Sequence, residues 1–192
     1  MRLRQPIWPR FLPTGTVTAL ATLGPIGRKL PAPGTWGSLA GLLYFVVFFL
    51  GSEGLPRFII TILGTMVSSY LAVAICGEAE FRLAQRDPGQ VILDEFVAMP
   101  LVFLGCGRLA AVLPASWELG SADLRLPAVA AGGFLLFRFF DILKPLGIAR
   151  LQDLPSGWGV VADDTAAALA ACATMHLLRL GYLWWSAASG HA

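Results

Sequence analysis

The stretch FIITILGTMVSSYLAVAICG, residues 58–77, contains twenty residues and no charged side chain. A helix needs about 20 apolar residues to cross the hydrocarbon core of a bilayer, so this stretch predicts a membrane-spanning helix. A second charge-free stretch covers residues 30–52, where the prolines and glycines of LPAPGTWGS indicate that the helix begins near Ser38. These two stretches favour a membrane protein.

The composition of the whole chain favours the same class. Of the 192 residues, 56% are hydrophobic and 14% are charged, and the mean hydropathy is +0.70. Soluble domains carry about 25% charged residues. The net charge of +2 gives no sign of a nucleic-acid-binding surface, and three widely separated cysteines argue against a disulfide framework or a zinc site.

Three further apolar stretches are interrupted by single arginines. They are residues 95–113 with Arg108, residues 126–143 with Arg138, and residues 163–185 with Arg179. Each of these could cross the membrane, re-enter it, or pack inside protein. The pattern predicts an all-α fold, a compact membrane bundle of about four to five apolar helices. One domain of residues 1–192 is expected, with an irregular N-terminal segment over 1–30 and the motifs within 31–170.

Five crossings from a cytoplasmic N-terminus would bring residues 1–37, 78–94 and 144–162 to one face. With Arg138, these segments hold ten of the fourteen Lys and Arg residues, so the positive-inside rule makes this face cytoplasmic. The ten are Arg2, Arg4, Arg10, Arg28, Lys29, Arg82, Arg86, Arg138, Lys144 and Arg150. The same threading gathers the polar motifs PGTWGS, DPGQVILDE, RFFDILKP and ADDT at that face, which predicts one shared site.

Two of these motifs, DPGQVILDE and ADDT, supply five carboxylates: Asp87, Asp94, Glu95, Asp163 and Asp164. Crowded carboxylates repel one another and take up protons unless a cation neutralises them. Hard oxygen ligands of this kind suit Mg²⁺. The alternative interpretation is that each acidic pair only marks a helix start, where it interacts favourably with the helix dipole.

The motif RFFDILKP spaces Arg138, Asp141 and Lys144 three residues apart, near one face of a helix. These side chains could bind a phosphate or join an ion-pair network; snorkelling and an intrahelical salt bridge are the structural alternative. The motif APGTWGSLAG offers Thr35 or Ser38 as a helix N-cap, glycines that permit close approach, and backbone N–H groups suited to an anion.

Through APGTWGSLAG, DPGQVILDEFVAM, FRFFDILKP and GWGVVADDTAAAL, the sequence resembles the phosphatidylglycerophosphatase A family over about residues 31–170. The chain departs from the family pattern at Ala98, where glycine is expected, and at PSGWGVVADD, which replaces a usual KGGxGVMxDD. The resemblance implies a multi-pass enzyme of the bacterial cytoplasmic membrane that uses Mg²⁺ to convert phosphatidylglycerophosphate into phosphatidylglycerol. The sequence leaves open whether the chain forms a homo-oligomer.

The resemblance also implies roles for individual residues. The implied metal ligands are Asp94, Glu95, Asp163 and Asp164; the implied catalytic residues are Asp87, Asp94, Asp164 and Lys144; the implied substrate-binding residues are Thr35, Ser38, Arg138, Asp141 and Lys144. The attacking group is either water, oriented by Asp87, or an acidic side chain that forms an aspartyl-phosphate. Two other functions stay open: a cation or proton-coupled transporter that uses the same carboxylates, and an assembly subunit in which the ion pairs are structural.

Overall fold

The computed structural model describes residues 4–50, 54–113, 118–119 and 122–189. The fold is an all-α bundle, as predicted, with one short antiparallel hairpin in which β1 (Glu118–Leu119) pairs with β2 (Ala122–Asp123). The helices are α1 (Thr14–Ala21), α2 (Ile26–Lys29), α3 (Pro33–Phe48), α4 (Leu55–Leu83), α5 (Leu93–Val102), α6 (Cys106–Ala110), α7 (Arg125–Leu143) and α8 (Gly157–Ala188). Two 3₁₀ helices, Trp8–Phe11 and Ile148–Asp153, complete the described elements.

Three of the described helices, α4, α7 and α8, are long and apolar enough to cross a membrane. They have 29, 19 and 32 residues, and each exposes large apolar side chains along part of its surface, such as Leu63, Leu135 and Leu177. Such faces suit contact with lipid because their burial in hydrocarbon costs no polar desolvation. The predicted helix over 58–77 is therefore confirmed within α4, which is long and apolar enough to cross a membrane.

Helix α3 has 16 residues and is shorter than a typical membrane span. It begins at Pro33, five residues before the predicted start at Ser38. Proline is tolerated at the first helical position because the N–H that it lacks has no intrahelical partner there. The helix follows Ala32, whose backbone is left-handed (φ +51°) and whose side chain forms no cap. The prediction that Thr35 or Ser38 caps this helix is wrong.

The predicted span over residues 95–113 is wrong as a continuous helix. Helix α5 ends at Val102, after an internal Pro100, and α6 begins after Gly105, whose φ of +72° suits glycine. Helix α5 packs against α3, α4, α7 and α8, and its residues 97–102 are buried. This segment therefore lies inside protein, which was one of the alternatives for it.

Two apolar clusters lie on either side of α5. One includes Phe45, Met99 and Phe137 from α3, α5 and α7, and the other includes Val17 and Ile75 from α1 and α4; both also take side chains from α8. The N-terminal segment is more regular than predicted, because α1 packs on α4 within the second cluster. Helix α5 is thus held on several sides, with its first turn fixed relative to α3, α7 and α8.

Candidate active site

All eight charged residues predicted for the site line one cavity of about 330 Å³. The cavity lies where α3, α5 and α8 begin and α7 ends, together with the loop between α4 and α5; we call this the site end of the bundle. The eight residues are Asp87, Asp94, Glu95, Arg138, Asp141, Lys144, Asp163 and Asp164. A larger, mainly apolar cavity of about 540 Å³ elsewhere in the described chain contains none of them.

The first turn of α5 carries Asp94 and Glu95 into this cavity. Carboxylates are favoured in a first turn because the backbone N–H groups there point toward them. Burial is nevertheless the dominant influence on both side chains. It raises the pKa of Asp94 well above its usual range, with the neighbouring charge of Glu95 acting in the same direction. Burial also raises the pKa of Glu95 to about 7, although Arg138 opposes the shift.

Arg138 joins three elements through one guanidinium nitrogen, Nη1. It donates hydrogen bonds to Glu95 Oε1 at 3.0 Å, to Asp141 Oδ2 at 2.6 Å and to Ser38 Oγ at 3.4 Å. Ser38 is buried and donates its own hydroxyl hydrogen to Gly34 O at 2.9 Å. The intrahelical Arg138–Asp141 pair was the structural alternative for this motif, but the bonds to Glu95 and Ser38 extend it across the cavity.

Lys144 is the C-cap residue that follows α7, and it forms an ion pair with Asp163 of α8. Its backbone is left-handed (φ +44°), a conformation that costs a residue with a side chain roughly 1–2 kcal/mol and is found mainly where surrounding contacts maintain it. Burial lowers the pKa of Lys144, but the hydrogen bond and charge of Asp163 outweigh this effect and raise it above its usual value. Lys144 is therefore a cation at neutral pH.

Four buried carboxylate oxygens in the cavity have no hydrogen-bond partner among the described residues. They are Asp94 Oδ1, Glu95 Oε2, Asp163 Oδ1 and Asp164 Oδ2. Buried acceptors without partners are costly, since each has lost its hydration without compensation. These oxygens belong to the four residues predicted to bind Mg²⁺, and their hard-oxygen chemistry fits that ion. No group of three or more acidic, His or Cys side chains in the described ranges is already arranged around a metal position.

Asp87 lies at the exposed rim of the cavity, with its backbone left-handed (φ +45°). Its N–H donates to Glu80 Oε1 at 2.7 Å, and its Oδ2 accepts a hydrogen bond from Gln152 at 3.3 Å. Glu80 and Gln152 therefore orient the loop that carries Asp87. The sequence analysis assigned neither residue a role, because each lies outside the four motifs and only the folded chain brings them to Asp87.

The glycines of APGTWGSLAG allow α3 to approach Glu95 closely. A Cβ atom at Gly34 would clash with Glu95 Oε1, and one at Gly37 would lie 2.5 Å from Glu95 Oε2 and 2.8 Å from Ile92 Cβ. This confirms the predicted role of the glycines in close approach. Thr35, by contrast, does not line the cavity, and its N–H donates to Ala32 O.

The fold and the cavity define a helical bundle of membrane-protein character, with three helices long and apolar enough to cross a bilayer and a compact acidic centre at one end. The chain belongs to the phosphatidylglycerophosphatase A family, whose model matches residues 19–179. This match confirms the resemblance carried by the four motifs.

Individual relatives are consistent with that assignment. A Haemophilus influenzae phosphatidylglycerophosphatase A is 38% identical over 140 residues, which cover 72% of this chain and 74% of the relative. An Escherichia coli phosphatidylglycerophosphatase A is 25% identical over 79% of this chain and 76% of its own length. A Bacteroides thetaiotaomicron protein, named a putative phosphatidylinositol-3-phosphatase, is 29% identical over 83% of this chain and 88% of its own length. No solved structure matches the chain.

Proposed function

We propose that this protein removes the terminal phosphate of phosphatidylglycerophosphate and leaves phosphatidylglycerol, a step of glycerophospholipid biosynthesis in the bacterial cytoplasmic membrane. Family membership supports the phosphatase activity. The observation that carries the proposal is the meeting of four separate motifs in one cavity, with two cations among six carboxylates. The transporter alternative has no support among the relatives, so hydrolysis is the better hypothesis.

The location of the cavity suits a phospholipid substrate. The site end lies at the ends of helices that are long enough to cross a bilayer, so the cavity opens near a membrane surface. The diacyl part of the substrate can stay in lipid while its doubly charged phosphate enters the cavity from water. Neither part then has to pass through an unfavourable environment.

We propose that Asp94, Glu95, Asp163 and Asp164 hold Mg²⁺, because each has a buried oxygen without a partner in the described part of the chain. Bound Mg²⁺ supplies positive charge that offsets the charge of these carboxylates and of the phosphate oxygens. The side chains of the described residues do not surround a metal position, so we expect the carboxylates to reorient when the ion binds. This expectation is open to measurement by metal titration of the purified protein.

Arg138 and Lys144 are proposed to bind phosphate oxygens. Both are now paired with carboxylates, Arg138 with Glu95 and Asp141, and Lys144 with Asp163. A cation held between carboxylates is positioned in advance, which lowers the entropic cost of binding the substrate. In hydrolysis by water, a new P–O bond forms as the bond from phosphorus to the glycerol oxygen breaks. Asp87 is proposed to orient that water, and the departing oxygen gains a proton.

The test measures phosphate release from phosphatidylglycerophosphate by the full chain in detergent micelles. We expect release to stop with a chelator and to return with added Mg²⁺. Release that continues under chelation would overturn the metal proposal, and no release under any condition would overturn the hydrolase proposal. Phosphatidylinositol 3-phosphate serves as the comparison substrate because of the Bacteroides relative; a preference for it would replace the proposed headgroup.

The competing covalent route has its own test. Labelling with ¹⁸O-water does not distinguish the two routes, because water that attacks phosphorus puts its oxygen into the released phosphate in both. Acid quenching during turnover does distinguish them, because it traps an aspartyl-phosphate, whereas direct attack of water leaves no phosphorylated protein. We expect no phosphorylated protein, and a trapped acyl-phosphate on Asp94 or Asp164 would establish the covalent route instead.

A further inference from the structure

The larger cavity, of about 540 Å³, lies between the end of α3, the start of α4, the α5–α6 connection and the second half of α8. We call this the far end of the bundle. Its walls are mainly aromatic and aliphatic, and they include Phe45, Phe49 and Phe103. Two exposed residues at its edge, Leu55 and Phe58, lie on the lipid-exposed helix α4. An apolar cavity beside such a surface is accessible to hydrocarbon.

The far end and the site end lie at different heights along α8. Asp164 lines the acidic cavity, and Arg179 on the same helix donates a hydrogen bond to Arg108 O of the far cavity. At about 1.5 Å of rise per residue, these two positions lie about 22 Å apart along the helix. This is more than half of the hydrocarbon core of a bilayer, which is about 30 Å thick. A phosphate held by arginines at the far end is therefore nearer to the membrane surface opposite the proposed active site.

The far cavity also contains positive charge. Arg57 and Arg108 both line it, and Arg57 Nη2 is buried with no hydrogen-bond partner in the described ranges. Arg179 lies beside them, since its Nε donates to Arg108 O at 2.9 Å. Among the described residues, none of these three arginines forms an ion pair with a carboxylate. The cavity thus joins an apolar volume to guanidinium groups that form no ion pair with a carboxylate of the described ranges.

We propose that the far cavity binds an anionic phospholipid of the opposite leaflet. Its phosphate pairs with Arg57 and Arg108, and the start of an acyl chain occupies the space among the phenylalanine rings. Charge complementarity selects this occupant, because a buried guanidinium N–H gains a strong hydrogen bond from a phosphate oxygen that a hydrocarbon cannot supply. A zwitterionic lipid also has a phosphate, but it carries no net negative charge, so the arginines attract it less strongly. The site is separate from the active site, so the inference stands apart from the proposed function.

The test uses phosphatidylserine, which is anionic but has no phosphate monoester to hydrolyse. Full-length protein in micelles is titrated with phosphatidylserine or with phosphatidylcholine of the same acyl chains, and bound lipid is counted by native mass spectrometry. We expect the wild-type chain to bind phosphatidylserine about tenfold more tightly, and we expect Arg57→Gln to remove this preference. Equal binding of the two lipids by the wild-type chain would overturn the proposal.

Matched controls separate a specific site from general attraction to positive charge. Arg125→Gln removes the same charge from the first turn of α7, where Arg125 pairs with Asp123 outside the far cavity. This variant is expected to keep the preference, and its loss there would overturn the proposal. If Arg57→Gln fails to fold, Arg108→Gln replaces it, because the Arg108 side chain is exposed and tolerates the change.

Two further ligands measure how much of the binding affinity comes from the headgroup and how much from the acyl chains. Inorganic phosphate and glycerophosphoserine carry the anion without a chain, so we expect each to compete with phosphatidylserine only weakly, at least about a hundredfold less effectively. Competition by inorganic phosphate at the same concentration as the lipid would mean that the site binds a free anion, which would overturn the lipid assignment.

Discussion

Asp164 lies buried on α8, and its Oδ2 has no hydrogen-bond partner in the described part of the chain. Asp164→Asn keeps the shape of the side chain but removes its negative charge. If this carboxylate holds a metal ion at the reaction centre, we expect kcat to fall by about 10²–10³-fold. The measurement is phosphate release from phosphatidylglycerophosphate, with circular dichroism to verify that the variant is folded.

The control for this prediction is Asp153→Asn. Asp153 is exposed on the second 3₁₀ helix and does not line the acidic cavity. We expect its activity to stay within about twofold of wild type, since isolated surface changes have small effects. Full activity in Asp164→Asn would remove Asp164 from the proposed site.

Substitution of Arg138 can distinguish a structural role of the ion pairs from a catalytic one. Arg138→Met leaves Glu95 and Asp141 without their cation in a mostly buried place, and we expect it to destabilise the fold by about 2–3 kcal/mol. Adding Glu95→Gln removes one uncompensated charge and should recover part of that loss. Activity, however, should stay absent in the double variant.

Thermal unfolding in micelles, followed beside phosphate release, provides the measurement. Arg125→Met is the control, because its pair with Asp123 is largely exposed and such pairs contribute about 0–1 kcal/mol. Activity that recovers together with stability in the double variant would support the purely structural interpretation of these ion pairs and would contradict our prediction.

The contact between α3 and α5 depends on glycine where the two helices approach Glu95. A Cβ atom at Gly37 would lie too close to Glu95 and to Ile92, so Gly37→Ala must push the helices apart or displace the carboxylate. We expect a loss of about 1–3 kcal/mol in stability and of at least about tenfold in activity. Melting temperature and phosphate release are measured on the same preparation.

The same substitution at Gly132 of α7 provides the matched control. A Cβ atom there meets nothing within 4 Å, so Gly132→Ala should stabilise the helix by about 0.5–1 kcal/mol through its higher helix propensity. A Gly37→Ala variant with wild-type activity would show that close approach at this position does not position Glu95.

Helix α5 illustrates which elements hydropathy predicts and which it does not. The charge-free stretch over 58–77 predicted α4 because a long apolar run has few other stable structures. The stretch over 95–113 is also strongly apolar apart from Glu95 and Arg108, but burial inside protein and burial in lipid favour the same residue types. Its division into α5 and α6 depends on Pro100 and Gly105, whose effects are local and which an average over twenty residues hides.

Across the whole molecule, the meeting of Asp94 and Asp163 in one cavity could be predicted because motif order and alternating crossings fix which helix ends are neighbours. The partners of individual side chains could not. The hydrogen bond from Arg138 to Glu95 joins residues 43 positions apart, and the hydrogen bond from Gln152 to Asp87 joins residues 65 positions apart. Such contacts depend on rotamers and helix distances that sequence patterns do not encode.

The orientation of the whole molecule provides the last prediction. Together with Arg138, the segments assigned to the site end hold ten of the fourteen Lys and Arg residues, so the positive-inside rule predicts that this end faces the cytoplasm. The test places single cysteines at exposed positions of both ends, Asp153→Cys at the site end and Asp123→Cys near the start of α7, in a chain that carries Cys106→Ser. The remaining Cys76 and Cys172 are buried.

A membrane-impermeant maleimide should label the Asp153→Cys variant in inverted vesicles but not in intact spheroplasts, and the Asp123→Cys variant in spheroplasts but not in inverted vesicles. Permeabilised cells control for reactivity, since both cysteines should then be labelled. The reverse pattern would place the acidic cavity on the outer face of the membrane. In that case the enzyme could reach only lipid in the outer leaflet, and its substrate would have to cross the bilayer before hydrolysis.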